Sequence, residues 1–468
     1  METTDEATTG RAVLDPAALE RMLAGSWEVR SLRPERATIA AAPPSAGSPD
    51  TTVERAVDAA AIESAIAGLG DGLAEAWRER NYDEREFPAL AEEALIRAAA
   101  HRAWDVKTLT AWLMSSNRVP RQVSAPQFGQ PPITLYIGHK FYIEALVWRD
   151  GTTAIHQHSF NGAFTVLQGS SLHSQYGFDE SDRVCEQLLF GRLTWRSSQI
   201  LRPGDVHRIL PGTAYIHSLF HLEHPSVTLV VRSYTAAGPQ YEYFAPGIAA
   251  DPFHDPQPLK VRLRALEALD AIDPEAFRRT AASLLAEADL WTVWRVLRAT
   301  AERGAHHPGL LEPARRRHGG PRVDALLAAV TGRVRQLQIA RLRQTIRNPE
   351  HRFFLALLLN VPDREEILTL IGREHPGIDP ADRAVSWLSE IAATGALNLT
   401  ITPVALATLR MALEKATFAD VVATFEQVIP TGEVEERRSL LRQVWDEIHG
   451  LPLLSALTAE ASARDGRR

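Results

Sequence analysis

The chain has 468 residues, 45% of them hydrophobic, and a formal net charge of −7. That length exceeds what one hydrophobic core serves, so two or three domains are expected without covalent staples. The single cysteine, Cys185, excludes an intramolecular disulfide and reads as an inert thiol in a reducing compartment, while the acidity argues against a nucleic-acid partner despite local clusters such as Arg315–Arg317.

The N-terminus METTDEATTG lacks the basic-then-apolar pattern of a signal peptide, and the longest apolar run, Phe353–Leu359, is far too short to cross a bilayer. A soluble cytoplasmic protein without membrane contact is expected. Residues 1–55 read as a largely flexible segment, with linker composition over Ala40–Thr52 and a helix start at Asp15-Pro16. Residues 56–128 show Leu, Ala and Trp recurring among charges, the pattern of amphipathic helices packing on the domain that follows.

Over 129–256 the periodicity becomes that of strands: ITLYIG, FYIEALVW, GAFTVLQG, QLLFGRLTW and SVTLVVRSY, separated by Gly, Pro and Asp. Short strands without intervening helices predict an antiparallel sandwich or barrel. Residues 257–468 return to helical patterns and predict an all-α C-terminal domain. Leu290, Val293, Trp294 and Leu297 fall on one helical face, and Asp273-Pro274, Asp379-Pro380 and Thr402-Pro403 each supply a cap followed by proline. The run FFLALLLNVP reads as a buried helix ending at Pro362. The fold class expected is therefore α+β and multidomain, a β-barrel or sandwich preceded and followed by helices.

Nine of the sixteen histidines lie between His139 and His254. His156 and His158, two apart on a strand, point to one face about 7 Å apart and can converge on one ion. Downstream, Gly204-Asp205 and Pro211-Gly212 read as turns flanking a short strand, after which His217 enters the next. His221, four residues on and on the same face, is the alternative third ligand or a hydrogen-bonded support. Three imidazoles suit iron, and also zinc, manganese, nickel or copper. His139, His173, His207 and His224 read as surface or hydrogen-bonded histidines.

These two stretches, Gly151 to Gly169 around His156 and His158, and Pro203 to His217, resemble the two motifs of the cupin superfamily, the double-stranded β-helix fold. The runs FYIEALVWRDGTTAIHQH and HPSVTLVVRSYT are similar to the cysteine dioxygenase type of three-histidine thiol dioxygenases. The resemblance implies Fe(II) held by His156, His158 and His217, with Ala163 where other cupins carry a carboxylate ligand. It places the family's active-site tyrosine at Tyr234, and Val230 and Arg232 where the family has a Ser and a His. The stretch Pro131-Pro132-Ile133 stands where the substrate-binding arginine would be, with Arg121, Lys140 or Arg232 as replacements. The function implied is a non-haem Fe(II) dioxygenase acting with O2 on a small anionic substrate, thiols included. The alternative is a metal- or ligand-sensing barrel coupled to a helical domain that binds a protein partner or a second copy.

Overall fold

The computed structural model describes residues 59–123, 129–149, 154–234, 238–301, 309–396, 401–427 and 434–458. The N-terminal linker, its Asp15-Pro16 helix start and Gly151 lie outside them. The chain divides into two compact units, one within Gly47–Gln338 and the other within Ile339–Arg468.

The first unit opens with helices α1 (Ala59–Glu79), α2 (Phe87–Ala98) and α3 (Val106–Ser115). In α1 the buried residues Ile62, Ile66, Leu69, Leu73 and Trp77 recur at helical spacing. The start of α3 is set by Asp105, whose carboxylate accepts from the Thr108 amide while Thr108 Oγ1 accepts from the Asp105 amide.

Eleven strands follow among the described residues: β1 (Pro132–Ile137), β2 (Phe141–Trp148), β3 (Ile155–Gln157), β4 (Gly162–Gln168), β5 (Ser171–Cys185), β6 (Leu188–Leu201), β7 (Val206–Ile209), β8 (Ile216–His221), β9 (Ser226–Ser233), β10 (Glu242–Phe244) and β11 (Ile248–Ala250). One sheet has the order β1-β2-β9-β4-β7, and the other runs β10-β11-β6-β5-β8-β3 and closes where β3 pairs with β10. The expected β-barrel or sandwich flanked by helices is thus what the chain forms.

The first sheet is covered on both faces, which explains why β2 and β9 read as nearly continuous apolar runs. Phe141, Ile143, Ala145 and Val147 of β2, with Val227, Leu229 and Val231 of β9, pack with Trp77, Phe87, Leu95, Leu109 and Trp112 of the three helices. The alternate residues face the barrel interior. Trp77 is fully buried, so truncating it to alanine costs about 3–5 kcal/mol.

Helices α4 (Gln257–Ile272), α5 (Pro274–Glu287), α6 (Leu290–Ala301), α7 (Glu312–His318) and α8 (Gly320–Thr345) complete the sequence into the second unit. Trp291, Trp294, Leu297, Leu326 and Val330 share a core with Leu188, Phe190, Phe244 and Ile248 of the strands, and Cys185 packs against its edge. The second unit holds α9 (Pro349–Asn360), α10 (Arg364–Glu374), α11 (Pro380–Ala393), α12 (Pro403–Leu413), α13 (Phe418–Glu426), α14 (Val434–Gly450) and α15 (Ser455–Thr458). Asp273, Asp379 and Thr402 accept from amides of the first turn of their helices, as their position before proline predicts. Phe354 to Leu359 of α9 are all buried, so the apolar run is a buried helix. Among the described residues no helix is long and apolar enough to cross a membrane.

Gly162 marks how tightly β4 sits against β9. A Cβ there would lie 1.9 Å from the carbonyl oxygen of Val231, a backbone atom that cannot step aside. Gly162→Ala is expected to lower stability by roughly 3 kcal/mol, the upper range of overpacking, read as a fall in the urea midpoint with an unchanged slope.

Candidate metal centre

The interior wall of the barrel unit is set by strand alternation. Glu144, Leu146 and Trp148 of β2, Phe164 of β4, Thr228, Val230 and Arg232 of β9, and His217 and Leu219 of β8 point inward. With His156, His158 and Phe160 they line a cavity of about 100 Å³.

His156 sits on β3 directly opposite His217 of β8, so the ladder itself brings these two together. His158 lies just beyond β3, its backbone bridged to Pro211. One ligand atom from each of the three histidines falls within 4.8 Å of the others, a group that can hold a divalent metal ion. The nitrogens involved follow from hydrogen bonding. His156 Nδ1 lies 2.8 Å from the carbonyl oxygen of Ala154, so Nδ1–H donates there and leaves Nε2 for an ion. The Nε2 atoms of His158 and His217 are 2.9 Å apart. An ion about 2.0–2.1 Å from each nitrogen separates two imidazoles by about 2.9 Å at a right angle, and by roughly 3.3 Å at the tetrahedral angle. The His158–His217 pair is therefore spaced as two ligands of one ion would be.

Burial pushes His158 and His217 well below the ordinary histidine range, and the mutual repulsion of the imidazoles acts in the same direction. Burial also lowers His156, against the pull of its bond to Ala154. All three are neutral near pH 7, the state in which imidazole binds metals.

Opposite the imidazoles the cavity is mainly apolar and aromatic, with one ion pair. Glu144, whose side chain is 1% exposed, lies 3.4 Å from Nη1 of Arg232. The Arg232 guanidinium stacks over the Phe160 ring at 3.8 Å, and Phe160 in turn lies against His158. Trp148 donates from Nε1 to Thr228 Oγ1.

Several expectations change here. Tyr234 does not reach the cavity: it continues the inward series of β9 but lies past the strand's last residue, is 47% exposed and packs against Tyr142. Arg232, two residues earlier, does reach it. Arg121 and Lys140 are not among the lining residues, and Lys140 sits over the Tyr82 ring instead. His221 is not a member of the histidine group: its Nδ1 is held by Ser171 and Ser226, and its ring stacks on Trp148. Ala163 packs on the helix side of β4, and the inward neighbour is Phe164, so no carboxylate enters the centre from this strand.

Glu144, Phe160 and Phe164 were not singled out from the sequence. For Glu144 and Phe164 the signal was parity, since once β2 is a strand with Leu146 inward Glu144 must share that face, whereas Phe160 lies between β3 and β4 and parity does not reach it. His173 proves buried, at 1% exposure, and bonded to His217.

No family model and no curated protein matches the chain. Among solved structures it is similar to the DMSP lyase DddQ from Ruegeria pomeroyi, at 12% identity over 30% of this chain and 74% of that one, with a TM-score of 0.21. It is similar to hydroquinone 1,2-dioxygenase from Sphingomonas sp. TTNP3, at 14% identity over 27% and 73%, TM-score 0.18. It is also similar to an uncharacterized conserved protein with a double-stranded β-helix domain from Klebsiella pneumoniae, at 16% identity over 28% and 97%, TM-score 0.17.

The neutral, buried imidazoles carry a pH signature. In the metal-free protein His158 and His217 stay unprotonated where the unfolded chain's histidines, at about 6.5, take up protons. The unfolded state then binds more protons, so stability is fully present above pH 6.5 and drains away as pH falls below it. The urea midpoint of metal-free protein is expected to be lower at pH 5 than at pH 7.5, and the difference to shrink in His158→Gln/His217→Gln. A midpoint indifferent to pH across that interval would contradict the neutral state.

Proposed function

We propose that the chain is a cupin metalloenzyme, a non-haem Fe(II) dioxygenase that acts with O2 on a small anionic substrate. The observation that carries this reading is the convergence of three neutral imidazoles, with no carboxylate from β4, on one cavity that also contains Arg232. Bound by His156, His158 and His217, ferrous iron keeps its full double charge and supplies coordination positions for an anion and for O2. A reducing, cytoplasmic setting suits ferrous iron and the single cysteine.

In this reading the protein's own groups do three things. The imidazoles present Nε2 because Nδ1 of His156 and His217 are tied elsewhere. Phe160, Phe164, Trp148, Leu146 and Val230 keep water from the reacting atoms, which strengthens every electrostatic contact inside. Arg232 orients the anionic end of the substrate, and Glu144 holds Arg232 in place until substrate arrives. Tyr234 has no part in it, since its exposed ring lies outside the cavity.

The test is anaerobic reconstitution with Fe(II), metal quantification, and O2 uptake across a panel of small thiols and chelating carboxylic acids. One iron per chain is expected, with uptake lost at least 100-fold in His156→Ala. His221→Gln is expected to keep the metal. Arg232→Gln should raise KM for anionic substrates about tenfold, the loss of roughly 1.4 kcal/mol of binding, with a smaller effect on kcat. Stoichiometric iron with no uptake on any substrate would instead favour a metal-sensing barrel that signals through the helices, and absence of bound metal would overturn both readings.

A further inference from the structure

We infer that His173 is the positioning residue of the metal centre: its Nε2 accepts the Nδ1–H of His217 and so fixes the tautomer in which His217 offers Nε2 to the ion. The inference rests on the three-imidazole reading above. It assigns a distinct job to a histidine outside that group.

An imidazole that ligates through Nε2 must carry its proton on Nδ1, and a buried N–H left without an acceptor costs about 1–3 kcal/mol. His156 meets this demand with the Ala154 carbonyl. His217, 2% exposed, has His173 Nε2 at 3.2 Å from its Nδ1. The contact is built by register: on the β5–β8 ladder His217 faces Gln175 and His173 faces Leu219, so the two histidines are diagonal neighbours on one face.

For Nε2 of His173 to accept, its own proton must sit on Nδ1. The group beside that nitrogen is the Gln199 amide, placed with its Nε2 3.4 Å from His173 Nδ1 and 3.5 Å from His207 Nε2. An amide can turn either its oxygen or its nitrogen toward a neighbour, and with Oε1 turned inward Gln199 takes the His173 proton. The line His217, His173, Gln199 is then satisfied at each step.

One group competes. The Tyr215 hydroxyl lies 3.0 Å from the same His173 nitrogen, which has a single lone pair in this tautomer. Removing that hydroxyl leaves the lone pair to His217 alone. A neutral imidazole is also a weaker acceptor than the carboxylate that often stands behind a ligating histidine, so His217 donates less electron density and the ion keeps more of its charge.

The experiment is an anaerobic Co(II) titration of the metal-free protein, reading affinity and the visible ligand-field bands, with urea unfolding of each metal-free variant as a check on folding. His173→Leu, which has no acceptor, is expected to weaken Co(II) binding 10–100-fold and to shift the bands. His173→Gln restores an acceptor and is expected to recover most of the affinity. Tyr215→Phe should bind as tightly as wild type or more tightly. Wild-type affinity and bands in His173→Leu would overturn the assignment, as would His173→Gln binding no better than His173→Leu. Should His173→Leu fail to fold, the other two variants decide: His173→Gln weak with altered bands, or Tyr215→Phe weakened, counts against it. If wild-type protein binds no Co(II), the three-imidazole reading itself falls and the role of His173 with it.

Discussion

A sheet buried on both faces governs this barrel unit. Because helices cover one side of β2, β4 and β9 and the barrel interior lies on the other, neither face has bulk water to satisfy a polar side chain. Polar residues that point inward must therefore find partners within the cavity. Glu144 meets Arg232, Thr228 accepts from Trp148, and two of the three imidazoles, His156 and His217, are tied through Ala154 and His173, while His158 Nδ1 has no hydrogen-bond partner among the described residues. The centre is thus the set of polar groups that a doubly covered sheet can tolerate.

Strand register carries the remaining precision. His156 faces His217 across β3 and β8, and slipping that ladder by one residue would turn one of them away. A three-residue strand is weak alone, but β3 is held on its other edge by β10, where Glu242 stands opposite His156. The Glu242 carboxylate lies 3.5 Å from Arg298 of α6. The helices that follow the barrel thus anchor the strand that carries His156, and the core of Phe244 and Trp294 backs that anchor.

Legibility in the sequence followed burial. The runs that became β2 and β9 were plain because both faces are apolar, and the helix caps were plain because Asp or Thr before proline has one physical use. The long hairpin β5–β6 was only partly legible: SLHSQYGFDESDRVC is not among the strand runs read from the sequence, and its extension comes from pairing with β6 and β8 rather than from propensity. The His156 and His158 pair was legible by spacing and His217 by its turn signals. What spacing could not decide was which of two same-face residues stays in the cavity. Parity puts Arg232 and Tyr234 on one side of β9, and His217 and His221 on one side of β8, but the strand end and the serine pair Ser171 and Ser226 separate them. The resemblance drew attention to Ala163, whereas the pleat turns Phe164 inward.

The charges of the cavity impose an order on its use. With the imidazoles neutral and the Arg232 charge offset by Glu144, the cavity offers an anion no net attraction by itself. Its mostly apolar wall makes an uncompensated negative group costly there. A cation among the imidazoles changes that balance by two units in a place where low polarity magnifies each charge. In the function proposed above, Arg232 would then exchange its long contact with Glu144 for a shorter one to an incoming anion, because the cation offsets the carboxylate left behind. For the proposed function, metal first and anion second is the sequence that this distribution of charge favours, because the neutrality of the three histidines leaves the attraction of an anion to the ion they would hold.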